Sequence, residues 1–161
     1  VKEKKLYVGP MKQMSLMALI GCSVLLAGCA SQSEVVFCPT ISAPEEGARS
    51  FVRSDNTKQI FDIRLNGVNA VCTQHNSGGT MVALSVGLKI KRSLAEGEAN
   101  DVIAVPMMSA IVDANQTVID NQEFGYRVGF DKGSDRKFPV AEIEQLVPAD
   151  ARLVISLRPA Y

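Results

Sequence analysis

From Met81 to Lys91 the chain changes character at every residue. Val82, Leu84, Val86, Leu88 and Ile90 fall on one parity, and Met81, Ala83, Ser85, Gly87, Lys89 and Lys91 on the other. Successive strand side chains point to opposite faces, so five matches at a spacing of two predict a half-buried strand. The same period recurs along the chain. Phe61, Ile63 and Leu65 alternate with Asp62 and Arg64; after an interruption at Gly67, Val68, Ala70 and Cys72 continue on one face. Phe124, Tyr126, Val128 and Phe130 alternate, and so do Leu153, Ile155 and Leu157. Phe138, Val140 and Ile143 form a further segment closed by Val147-Pro148.

The remaining stretches separate strands. Asn76-Ser77-Gly78-Gly79 and Asp131–Arg136, with Gly133, read as turns. Asp113–Gln116 reads as a hairpin turn, with Thr117–Asp120 returning. Ser93–Val102 is a polar connection with room for a helical turn. Val102–Val112 is apolar but contains Pro106, which cannot donate to a ladder. That places this strand at a sheet edge, or bulged at Pro106. About seven strands, turns every 8–12 residues and no long helical period predict an all-β fold. The expected architecture is an antiparallel, immunoglobulin-like sandwich of two sheets. The chain has no Trp, so an antibody-type core is excluded.

One segment breaks the period. Met14–Ala27 carries no ionisable side chain except the thiol of Cys22, with Lys12 just before it. About 14 residues are too few to cross a hydrocarbon core as a helix, which needs roughly 20. They suit the apolar centre of a secretory signal. The run ends in Leu26-Ala27-Gly28-Cys29. This tetrapeptide resembles the lipobox of bacterial lipoproteins. The resemblance implies cleavage between Gly28 and Cys29, a diacylglycerol thioether on Cys29 and acylation of the new terminus. Two or more acyl chains suffice for stable anchoring. Neither Ala30 nor Ser31 is acidic, which by the same resemblance implies the periplasmic face of the outer membrane, with the inner membrane as the alternative. Val1–Pro10 reads as an over-long start, Met11 or Met14 being the true one, or as a long n-region.

The expected organisation is therefore a signal peptide over 1–28, a lipidated tether over 29–50 and a β-sandwich domain over 51–161. Ser31–Ser50 is polar with two prolines, which suits an extended tether that becomes ordered near Cys38. Removing 28 residues from 161 leaves 133, enough for one domain with its own core. Of 17 basic and 17 acidic residues, Lys2, Lys4, Lys5, Lys12 and Glu3 leave with the signal. The mature part then has 13 basic and 16 acidic residues, a net of −3, which gives no argument for nucleic acid. With Cys22 removed and Cys29 lipidated, Cys38 and Cys72 remain. In an oxidising compartment they read as one disulfide.

At this length the mature domain also resembles small envelope lipoproteins of Gram-negative bacteria that have no assigned function. The shared pattern runs from Gly67-Val68-Asn69-Ala70-Val71-Cys72 through VALSVGLKIKR and DVIAVPMMSAIVDANQTVIDNQEF to LVPADARLVISLRP, most of residues 60–160. The resemblance implies a periplasmic immunoglobulin-like sandwich and brings no catalytic residues.

Candidate chemistry is sparse. His75 is the only histidine and lies in the turn-rich CTQHNSGG, with no G-x-S-x-G motif anywhere. Two cysteines and one histidine lack zinc-ligand spacing, so no metal or other cofactor is expected. Glu45-Glu46, Glu96 with Glu98 and Glu142 with Glu144 are acidic pairs in polar stretches, best read as solvated faces. Asp113, Asn115 and Asp120 miss the spacing of a calcium loop, and Gly78-Gly79 is too short for a phosphate loop. Lys89, Lys91 and Arg92 form a basic patch that suits protection of a sheet edge. The expected function is a lipid-anchored periplasmic structural or protein-interaction module without catalysis, held to the membrane by its lipid and contacting another envelope protein. The alternative is a periplasmic carrier or binder of a small ligand.

Overall fold

The computed structural model describes residues 34–92 and 99–158. The signal segment, the cleavage site Gly28/Cys29 and the lipidation residue Cys29 lie outside them. Nine strands follow in order: β1 (Ile41–Ser42), β2 (Arg49–Arg53), β3 (Ile60–Gln74), β4 (Thr80–Arg92), β5 (Asp101–Val112), β6 (Val118–Phe130), β7 (Arg136–Lys137), β8 (Val140–Val147) and β9 (Arg152–Leu157). Seven are long and two have two residues each. One sheet runs β2-β3-β4, with β7 and β8 both paired to the far side of β4; the other runs β1-β9-β5-β6. Every pairing is antiparallel except the two-residue contact of β1 with β9. The molecule is a two-sheet β-sandwich. It shares the immunoglobulin-like architecture but threads it by its own route, since β2, β3 and β4 form a continuous meander within one sheet.

The period-two pattern explains the core. Val82, Leu84, Val86, Leu88 and Ile90 of β4 are fully buried and face Ile103, Val105, Met107 and Ile111 of β5 and Leu153, Ile155 and Leu157 of β9. Phe61 and Phe130 meet across the sheets, with ring centroids 5.0 Å apart and planes tilted by 60°. β3 is one strand through the interruption at Gly67. The register slips between Leu65 and Val68, and Gly67 takes φ 106°, which a side chain would resist.

Several expectations need correction. Pro106 does not lie in an edge strand, because β5 pairs with β6 on one side and β9 on the other. Nor is β5 bulged there: its irregularity lies between Ile111 and Val112. Pro106 is tolerated because its missing N–H would point at Arg158, just where β9 ends. Arg158 N–H donates to Pro106 O (2.9 Å), and the Arg158 carbonyl accepts from Ser50 Oγ instead (2.7 Å). The tether expected over 29–50 is, from Glu34 on, laid against the domain. Val35 bridges Thr73, Val36 N–H donates to Cys72 O, Gln74 N–H donates to Glu34 O, and β2 already begins at Arg49. Lys89 and Lys91 lie on central strand β4, so they protect no edge. Arg92 leaves their patch altogether: its even position continues the buried parity, and it is 5% exposed.

Candidate interaction surfaces

Cys38 and Cys72 form a disulfide, with Cα atoms 5.2 Å apart. Cys72 is buried at the far end of β3, so the bridge fastens the chain that precedes β1 to the five-stranded sheet. The other cysteines, Cys22 and Cys29, lie outside the described residues.

The acidic pairs and the histidine are separated from one another. Glu45 and Glu46 open a 3₁₀ turn over Glu45–Gly47. Glu142 and Glu144 share the outward face of β8, where Ser85 Oγ donates to Glu142 (2.9 Å). Glu96 and Glu98 lie outside the described residues. His75 is half-buried in the β3–β4 turn; its Nδ1 is 2.7 Å from Ser77 Oγ, and its backbone N–H donates to Gly79 O. Asp113 shapes the β5–β6 turn by accepting from the N–H groups of Asn115 and Thr117. Among the described residues no group of three or more His, Cys, Asp or Glu is placed to hold a metal ion. No helix among them is long and apolar enough to cross a membrane.

Two polar knots hold the sheets together at one end. Asp101, buried at the start of β5, accepts from Ser54 Oγ (2.7 Å) and Thr57 Oγ1 (2.5 Å) in the β2–β3 turn, and from Val102 N–H. Burial pushes its carboxyl upward, but these donors outweigh burial and hold it below the ordinary carboxylate range. Ser54 Oγ also accepts from Asn56 and Thr57 N–H, so its lone pairs organise the turn rather than chemistry. Arg92 donates to the carbonyls of Ser134, Ala99 and Asp131 and lies over the Phe130 ring, 5.3 Å from its centroid. A buried guanidinium satisfied by three carbonyls fixes the 131–135 turn. Sequence reasoning missed both knots; the parity of Arg92 was the available signal.

Three features lie on the surface. First, β6 is a thirteen-residue edge strand. Pro106 O faces Arg158, so its cross-strand partner Gly125 directs its backbone N–H and C=O away from β5. Glu123, Arg127 and Gly129 follow by alternation. Second, a groove of about 420 Å³ crosses the outward face of the five-stranded sheet at the β3 bulge, lined by Asn66, Asn69, Ser85, Phe138 and Val140. Gly87 keeps it open, since a Cβ there would stand 2.8 Å from Asn66 O. Third, the same face carries cations around Asp62. Arg49 binds that carboxylate through two hydrogen bonds (2.9 and 3.0 Å), and Arg64 adds a weaker contact. Arg49 chiefly, against some burial and with help from Arg64, holds Asp62 below the usual range.

Compared with family models, curated proteins and solved structures, the chain finds no match.

Proposed function

We propose that this protein is a lipid-anchored structural module of the bacterial envelope. Cys29 would carry the lipid, the sandwich would stand in the periplasm on the outer membrane, and the domain would contact another envelope protein without catalysing a reaction. The observation that carries the contact is the edge of β6, which no other strand among the described residues covers. An unpaired row of backbone donors and acceptors is a template for strand addition. Gly125 and Gly129 leave that row sterically open, while Arg127 and Glu123 restrict what can pair there. The Leu26-Ala27-Gly28-Cys29 segment supports the anchor.

A photo-crosslinker at position 127 in the full chain tests the contact in intact cells. It should trap one protein species, and Gly125→Pro should abolish that product by removing an edge donor while leaving the ladder to β5 in place. Loss of the wild-type product under conditions where the chain is folded would contradict the contact.

A second reading draws on the polar groove at Gly87, which is large enough for a small polar ligand such as a saccharide. Stoichiometric co-purification of a metabolite, lost in Gly87→Val, would favour it.

A further inference from the structure

The outward face of the five-stranded sheet is unusual in three ways. Six cations stand on it at one end: Arg49 and Arg53 of β2, Arg64 of β3, Lys89 and Lys91 of β4, and Arg136 of β7. Among the described residues the only carboxylate standing with them is Asp62, already engaged by Arg49 and Arg64. Glu142 and Glu144 lie on the same face farther along β8, so the face keeps a positive balance of six cations to three carboxylates. Cations also face each other directly, in the pairs Arg49/Arg64, Arg64/Lys89 and Lys91/Arg136. Like charges directly opposite across a ladder are destabilising, so the face gives up stability to keep its charge.

The face is also the apolar one. Ten large hydrophobic side chains are exposed among the described residues, and seven belong here. Phe51 and Ile60 stand among the cations; Arg49 lies over the Phe51 ring, 4.6 Å from its centroid. Phe138 and Val140 rim the groove. At the far end Val71 is joined by Val35, which pairs with Thr73, and by Phe37, fully exposed on the other side of the inward-packed Val36. Exposed apolar side chains interleaved with cations on one broad sheet face match the boundary of an anionic lipid leaflet. The headgroups neutralise Lys and Arg, and rings and aliphatic chains enter the acyl boundary. A partner that was merely acidic would leave Val35, Phe37 and Val71 uncovered, at the end away from the six cations.

We infer that the outward face of β2, β3, β4 and β7, with the Phe138 rim of the groove, rests on an anionic phospholipid leaflet, leaving the acidic face of β8 toward water and the β6 edge for a protein partner. This inference rests on the anchored reading, which ties the domain to a membrane at the end where Val35 and Phe37 lie. Only four residues lie between Cys29 and Glu34.

The chain contains no tryptophan, so a single introduced one reports its own surroundings. The full chain is reconstituted into vesicles of phosphatidylcholine and phosphatidylglycerol, with and without brominated acyl chains. Phe138→Trp and Phe51→Trp should lose about half their emission to the brominated lipid. Val102→Trp, on the outward face of the other sheet, should keep its emission. Lys89→Glu with Lys91→Glu, or vesicles of phosphatidylcholine alone, should restore the emission of Phe138→Trp. Val71→Trp, at a position already exposed, replaces any Phe variant that loses its β-sheet circular dichroism. A chain that floats with the vesicles but shows equal emission on both faces overturns the face assignment alone. A chain that fails to float overturns the anchored reading, and this inference with it. No quenching on vesicles, with Lys89 and Lys91 crosslinked to carboxyl groups of a protein in native envelopes, would replace the lipid by an acidic protein.

Discussion

Outside β3 and β4, Arg64 stands opposite Lys89 and Asp62 opposite Lys91; outside β5 and β6, Pro106 stands opposite Gly125 and Ala104 opposite Arg127. The first surface is charged, ringed by exposed aromatic and aliphatic side chains, and grooved at Gly87. The second is built mostly from small residues, and part of it is covered. The 3₁₀ turn packs Gly47 so closely on Ser156 that a Cβ would come within 2.5 Å of the serine Cβ. Arg158 and Glu123 pair near the centre of that second face. Both sheets bury the same kind of aliphatic row inward. The difference outside therefore owes nothing to the demands of the core, and it is the ground on which the charged face and the β6 edge are proposed as contact surfaces.

That comparison presumes that the two sheets share one core. Phe61→Ala should cost about 3–5 kcal/mol, and hydrogen exchange should rise in β4 and β5 together. Exposure of β4 with β5 still protected would split the sandwich into independent halves. Replacing both cysteines, Cys38→Ser with Cys72→Ser, should cost about 3 kcal/mol in urea unfolding. Here the loss should be local in the native state: exchange should rise at Val36 and Gln74, whose N–H groups join this segment to β3, and remain unchanged in β6.

The Asp101 knot joins the β2–β3 turn to β5. Asp101→Asn should cost about 2 kcal/mol at neutral pH. Because the folded carboxyl is held low, its contribution is present above the ordinary carboxylate value of about 4 and disappears as pH falls through the folded value. The wild type should therefore converge on the variant in acid, read as urea midpoints across pH; a constant gap would contradict the assignment. Gln145 of β8 is buried on the inward face and neither amide atom has a hydrogen-bond partner among the described residues. Gln145→Met should raise stability by about 1 kcal/mol. The smallest effect should come from the charged face itself. Lys89→Glu turns a like-charge pair with Arg64 into an opposite-charge one and should stabilise the soluble fold by about 0.5 kcal/mol. A loss there would remove the claim that this face trades stability for charge.

What was legible in the sequence divides along physical lines. β4 announced itself because both of its neighbours are sheet strands and its inner face is wholly aliphatic. β2, which straddles the expected boundary at residue 50, went unread because Ser50 and Ser54 flank Val52 on the inward parity, so the alternation lacks contrast. β3 read as two pieces because Gly67 bulges and resets its register. Pro106 misled because local chemistry cannot reveal that the adjacent strand stops beside it. Arg92 misled because its charge outweighed its parity, although three backbone carbonyls compensate it inside. The Cys38–Cys72 pairing could be read by elimination, whereas the charged face emerges only when β2, β3, β4 and β7 are laid side by side.

All proposed roles depend on a covalent lipid at Cys29. Cells expressing the full chain and fed labelled palmitate should yield a labelled protein in the membrane fraction, and Cys29→Ser should abolish both the label and the membrane recovery. A wild-type chain that takes up no label, or a Cys29→Ser chain that keeps it, would contradict the account.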